Sequence, residues 1–365
     1  MSLNELIRER LNTGEFSAHF LGEILYDFAK IVKEEITQKL FREKAAKDEK
    51  RFAEFLLIET CRAILKMTPA SFYLYLKHDR KLMDILRLKL LKMYRNYTDF
   101  DRKRKNLKMY MSKIIRRNLG TKDAEIYLFD TVVVEADLNK YKKGKKIKEG
   151  EYDVEFIHST TKGTIAGFLA AVLINFSKLS VEHVELVSKK AKKVEIWRKC
   201  VLDQLGTQSG KIKVVIADAG FFAYDNYLSS PHQRLIPIIR PRKRFEEKVV
   251  TKVRNMSQSL FWYDSRHIHM LNRLINDFSY IINQTIKLVR DYGNMAKLRL
   301  KIEILFKIAK GIFGMEEIHV YYRKSGIWKI TLMLYISSIF YQYLESNGVN
   351  VNRATELLRM KNGLW

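Results

Sequence analysis

Two cysteines, Cys61 and Cys200, are all that 365 residues contain, and they stand at no metal-ligand spacing. This excludes a disulfide framework and a zinc ribbon, and fits a reducing, intracellular setting. No glycine-rich loop of the phosphate-cradling kind is present, which disfavours nucleotide hydrolysis. Long apolar runs are missing too. The most membrane-like stretch, residues 330–344, includes Ser337, Ser338 and Gln342. It is shorter than the roughly 20 residues of a bilayer span, so it reads as a buried core helix. The first residues, MSLNELIRERLN, lack the apolar core of a signal peptide. A cytoplasmic protein without a membrane partner is expected. Proline is scarce, and three of the four (Pro231, Pro237 and Pro241) bunch around residues 234–239, where they are expected to mark the limits of a strand.

Acidic residues are in deficit. Against 67 Lys and Arg stand 41 Asp and Glu, a formal net charge of +26. Such an excess favours a polyanion as partner, through phosphate neutralisation and counterion release. A generally basic or ribosome-associated protein is the other reading of charge alone. With 47% apolar and 30% charged residues the chain is globular, long enough for one large domain or two ordinary ones.

Residues 1–118 carry apolar side chains at three- and four-residue spacing, as in Phe20, Ile24, Phe28 and Ile31, and read as an all-helical domain. Thr68 and Pro69 supply a cap and a first-turn proline for a helix beginning at Ala70, just after an amphipathic segment over 52–67. This pair is either a DNA-reading helix-turn-helix or ordinary helical packing. The basic residues from Arg102 to Lys105, with Lys108, Lys113, Arg116 and Arg117, form a phosphate-facing surface or a solvated helix face.

From residue 119 the pattern changes. Residues 126–137, 152–157 and 164–176 read as strands, 181–205 as helical, 211–217 and 234–239 as strands, and the chain beyond Arg266 as mostly helical. The expected fold is α/β, a mixed sheet between helices, following the N-terminal helical domain.

Three acids stand out by their settings. Asp130 follows the apolar run Ile126, Tyr127, Leu128, Phe129. Asp218 ends the run Val214, Val215, Ile216, Ala217 and precedes the small pair Ala219 and Gly220. Glu303 lies in an amphipathic helical stretch over 299–310. Two carboxylates on strands and one on a helix can converge on hard cations such as Mg²⁺ or Mn²⁺, which prefer oxygen ligands. A pair of such ions stabilises the attacking and leaving oxygens of a phosphoryl displacement. At about 100° per residue, Arg299, Glu303 and Lys310 share one stripe of their helix. The stripe reads either as a metal ligand flanked by two phosphate-binding cations or as an exposed i,i+4 ion pair. Glu135 and Asp137 compete with Asp130, although alternation puts Asp130 and Asp137 on opposite faces of an unbroken strand. Arg240, Arg242, Lys243 and Arg244 follow a strand expected to end near the acids, and phosphate contact is expected there. Lys142, Lys143, Lys145, Lys146 and Lys148 form a basic hairpin in contact with DNA or with water. His267 and His269 lack a companion ligand array, and His158 and His183 have no nucleophile beside them.

Several of these segments together carry a family resemblance. Phe129-Asp130-Thr131 with Val134, Asp137 and Asn139 is followed by the stretch from His158 through Gly167 to Phe168. Then come Val215-Ile216-Ala217-Asp218-Ala219-Gly220 and the segment from Ile236 to Lys243. Last is the spacing Tyr-x2-Arg-x3-Glu-x6-Lys, on which Arg299, Glu303 and Lys310 fall and in which Ala296 replaces the tyrosine. Over roughly 126–310 the chain resembles the DDE transposases of bacterial and archaeal insertion sequences, which have a ribonuclease H-like core. The resemblance implies a metal-binding catalytic triad of Asp130, Asp218 and Glu303, two divalent ions, and double-stranded DNA (transposon ends and target) as substrate. It also implies phosphate contacts by Arg299 and Lys310, a homodimer in the DNA-bound state and association with the nucleoid. A host nuclease on the same core and a decayed, non-catalytic DNA-binding protein are the rival readings.

Overall fold

The computed structural model describes residues 58, 62, 67, 69–78, 98–99, 125–136, 152–159, 163–206, 211–260, 268–315, 317–318, 320–346, 348, 350–352 and 355–356. The chain divides into two compact units. One comprises Gly120–Val133 and Asp153–Glu303, the other Met1–Leu119, Val134–Tyr152 and Ile304–Trp365. Most of the first helix of the expected helix-turn-helix, the basic stretch from Arg102, the Lys142 to Lys148 hairpin, Asp137 and the side chains of His267 and His269 lie outside the described residues.

The first unit is built on a mixed sheet. Its strands are residues 126–133 of β1 (Ile126–Ala136), β2 (Glu155–Ser159), β3 (Gly163–Asn175), β4 (Val181–Val187), β5 (Lys213–Ala217) and β6 (Leu235–Ile239). The hydrogen-bonded order is β2-β3-β1-β5-β6, with β4 also on β3. Pairs β2–β3 and β3–β4 are antiparallel, whereas β1–β5 and β5–β6 are parallel. The N–H of Phe176, one residue beyond β3, donates to the carbonyl of Ile126 at the start of β1 (3.0 Å), so these two strands also run in opposite directions.

Burial follows strand alternation. On one face Tyr127, Phe129, Ala171, Leu173, Val215 and Ala217 join a core closed by Trp197, Val201, Phe221 and Tyr227. On the other, Leu128, Ala170, Val172, Ile216 and Ile238 are each fully buried. Strands buried on both faces carry the near-continuous apolar runs seen in the sequence. Helix α2 begins at Lys193–Trp197, widens into a π turn over Arg198–Leu202 and ends at Asp203–Leu205. Its Trp197 meets Phe129 edge-on at 5.7 Å, and Phe129 lies 4.8 Å from Phe221. Trp197 also donates its indole N–H to Ser230 Oγ (3.1 Å). The short helix α3 (Tyr224–Ser229) connects β5 to β6, and α4 (Phe245–Leu260) and α5 (Ile268–Arg290) follow. After α6 (Tyr292–Leu298), Arg299 forms the junction to α7 (Leu300–Gly311). A mixed sheet of this order flanked by helices fits a ribonuclease H-like core.

Two expectations need correction. Residues 181–187 form strand β4, and the helix expected over 181–205 begins only at Lys193. Val181, Val184 and Val187 stand at three-residue spacing and imitate a helical face, but these β-branched residues are buried in a sheet, where Val184 pairs with Val172. Pro237 does not bound a strand; it sits at the centre of β6, opposite Val215. The N–H of Lys213 donates to Arg234 O (3.1 Å), so in this parallel ladder Arg234, Ile236 and Ile238 face β5. The nitrogen of Pro237 therefore points to the outer side, where no hydrogen bond to β5 is lost.

In the second unit, helix α1 (Pro69–His78) starts at its proline, as expected. Strand β7 (Glu317–Ile318) pairs in parallel with Glu135 and Ala136 at the end of β1. Helix α8 (Arg323–Ser346) buries Ile330, Leu332, Leu334, Ile336 and Leu344, the core helix expected over 330–344. No helix among the described residues is long and apolar enough to cross a membrane.

Candidate active site

The register of two parallel strands creates the site. Phe129 of β1 pairs with Ala217 of β5, so Asp130 and Asp218 follow side by side. Asp130 is held by its neighbour, since the N–H of Thr131 donates to its Oδ1 (2.7 Å). The chain breaks from β5 at Asp218 into a 3₁₀ turn (Ala219–Phe221) that Asp218 caps, its Oδ2 accepting from Gly220 N–H (3.2 Å). Phe221, at the end of that turn, locks it into the Phe129–Trp197 cluster.

Glu303 reaches the same place from α7, and one side chain joins all three acids. Arg299 Nη1 donates to Asp218 Oδ1 (3.0 Å), while Nη2 donates to Asp130 Oδ2 (3.2 Å) and Glu303 Oε1 (3.0 Å). The arginine and Asp130 are largely shielded, at 17% and 15% side-chain exposure, whereas Asp218 and Glu303 are both 45% exposed. Burial pushes the Asp130 carboxyl above its ordinary value, outweighing the attraction of Arg299 and the Thr131 hydrogen bond. Burial works against the charge of Arg299, but Asp130, Asp218 and Glu303 together hold its proton more tightly than usual.

The donor set is carboxylate oxygen throughout, the kind that hard divalent cations take. That these oxygens already converge on a positive charge fits a cation site in kind. Their spacing is set by the width of the guanidinium, and among the described residues no three acidic, imidazole or thiol groups are clustered tightly enough to ligate one metal ion. Glu135 belongs to the other unit, as does Lys310, which is half-buried on α7.

The basic residues after β6 form an exposed turn. Arg242 lies over the ring of Phe222 (5.1 Å), and Arg244, with φ +60°, approaches Glu247 at 3.9 Å; Arg240 and Lys243 are exposed. A cleft of about 480 Å³ opens here between Arg242, Arg244, Glu246 and Arg290. It does not include the three acids. Two lysines missed in the sequence extend this surface. Lys248 and Lys252, one turn apart on α4, reach over the same Tyr224 ring at 5.7 and 5.4 Å. Their i,i+4 spacing beside a charged turn was the available signal. His158 is exposed on β2.

A family model, the transposase DDE domain, matches residues 121–336, which span every strand described here. The chain belongs to this family. No curated protein and no solved structure matches it. As a transposase DDE domain it acts on DNA, and the basic turn, the cation-covered aromatics and the acid cluster lie within one unit of that domain.

Proposed function

We infer that this transposase moves an insertion sequence by cutting at the transposon ends and joining the freed 3′-hydroxyl to target DNA. The convergence of Asp130, Asp218 and Glu303 on a single guanidinium, from two adjacent strands and a helix, carries this reading. Two Mg²⁺ or Mn²⁺ ions on these carboxylates would supply charge to the attacking and leaving oxygens.

In the first step water attacks a phosphorus at the transposon end, a new P–O bond forms, and the bond to the 3′-oxygen breaks. In the second, that 3′-hydroxyl attacks a target phosphorus and displaces another 3′-oxygen. Neither step needs a covalent bond to the protein. The chain's own work is positioning: Thr131 and Gly220 fix the carboxylates, and the Phe129, Trp197 and Phe221 cluster fixes the strands that bear them. Arg299, Lys310, Arg240, Arg242, Lys243 and Arg244 bind backbone phosphates in this reading. The segment of residues 1–118 recognises the ends in this reading, and pairing of two ends makes a dimer on DNA.

The test is Asp218→Asn. Metal-dependent cleavage and joining of an end-bearing duplex should be lost while DNA binding persists. Cleavage at the unaltered rate would remove Asp218 from the site, and cleavage by the native protein without any joined product would favour a host nuclease.

A further inference from the structure

Arg299 stands among the acids as a cation would. One guanidinium satisfies an oxygen from each of Asp130, Asp218 and Glu303, at 3.0–3.2 Å, and is mostly withdrawn from solvent. Among the described residues its buried Nε has no hydrogen-bond partner, and the head group is held by the carboxylates. Three carboxylates so close repel one another, and Arg299 supplies one opposing charge, leaving the group with a net attraction for more positive charge. A divalent cation coordinating the same oxygens needs contact near 2.0–2.1 Å. The guanidinium between them keeps that space filled.

The geometry points to Arg299 as an internal counter-ion of the acid triad, competing with the divalent cation for Asp130, Asp218 and Glu303. While the cation is absent, Arg299 holds the acids together; when the cation binds, the guanidinium is released towards a phosphate oxygen of DNA. Cation loading and grip on the substrate are thereby coupled through one side chain, each favouring the other. The inference rests on the assignment of the three acids as metal ligands.

The experiment measures Mn²⁺ binding by electron paramagnetic resonance of the free ion, on full-length protein without DNA. Arg299→Gln removes the competitor and should tighten Mn²⁺ binding by about tenfold or more. Arg299→Lys, which keeps a charge but cannot bridge three acids, should fall between it and the native protein. If Arg299→Gln does not fold, the lysine variant must still bind more tightly than the native protein. In chelator the glutamine variant should melt below the native protein, and saturating Mn²⁺ should close that gap. Unchanged or weaker Mn²⁺ binding in the arginine variants, or a melting gap that persists in Mn²⁺, overturns the counter-ion role. Asp218→Asn separates the two readings. It should lose Mn²⁺ binding; if it binds like the native protein, the metal assignment fails and the counter-ion role fails with it. If Asp218→Asn loses the ion and the arginine variants do not tighten, the counter-ion role alone is wrong.

Discussion

Asp130 and Arg299 are 169 residues apart in the chain and 3.2 Å apart in the fold, linked from Nη2 to Oδ2. Two independent pieces of construction bring them together. The β1–β5 register sets Asp130 beside Asp218, and the junction between α6 and α7 delivers Arg299 one helical turn before Glu303.

Strand β6, which leads into the turn of Arg240 to Arg244, is moored by Tyr227, whose hydroxyl donates to the carbonyl of Ile239 at 2.6 Å, fully buried. Tyr227→Phe leaves that carbonyl without its partner. Urea unfolding should show a loss of about 1 kcal/mol, the usual net worth of such a bond. An unchanged midpoint would mean that another group satisfies Ile239.

Burial, helped by the nearby Glu185, pushes the Cys200 thiol up to about 12 from an ordinary 9.0. The folded state disfavours the thiolate, so this group's contribution to stability is complete below pH 9 and is lost as pH rises towards 12. At pH 8 the native protein should not be alkylated at Cys200, and unfolding in denaturant should restore reaction. Peptide mass spectrometry after brief iodoacetamide treatment decides it; rapid labelling of the native protein contradicts the buried placement.

Lys248 and Lys252 share the Tyr224 ring beside the basic turn, an arrangement suited to backbone phosphates. Replacing both with alanine should weaken DNA binding across sequences alike. The slope of log affinity against log salt should shrink by about 0.9 for each phosphate that is no longer neutralised. Titration of the full chain with duplex DNA at several salt concentrations gives the slope, and an unaltered slope removes these lysines from the interface.

One substitution made at two glycines should have opposite effects. A Cβ at Gly206 would press into Gln233 and stand 2.8 Å from the Leu202 carbonyl, whereas at Gly293 it would meet nothing within 4 Å. Gly206→Ala should lower the melting temperature, because backbone must shift. Gly293→Ala should raise stability by about 0.4–1 kcal/mol by restricting the unfolded chain. Equal effects at both sites would contradict the packing around Gly206.

Most of the sheet was legible because its strands are apolar runs ended by polar or small residues, as at Asp218. The alternation that buries Phe129 and Ala217 is visible in their neighbours. Strand β4 was not legible, since Val181, Val184 and Val187 satisfy a helical period as well as a strand, and only pairing with β3 decides between them. The three acids could be picked out singly. Their common partner could not, because the i,i+4 spacing of Arg299 and Glu303 describes an ordinary ion pair equally well, and the pair is indeed formed. What the spacing omits is the approach of Asp130 and Asp218, a property of strand register.

Pro237 has a bearing on how the sheet ends. Within the described sheet order β6 is terminal, yet Leu235–Ile239 is buried throughout, with helix α5 packed against it. A proline nitrogen carries no hydrogen, so at the midpoint of this covered edge it removes a donor that would otherwise need a partner. The Ile239 carbonyl is taken by Tyr227, and the sheet is thus closed off by a missing donor and a tyrosine hydroxyl.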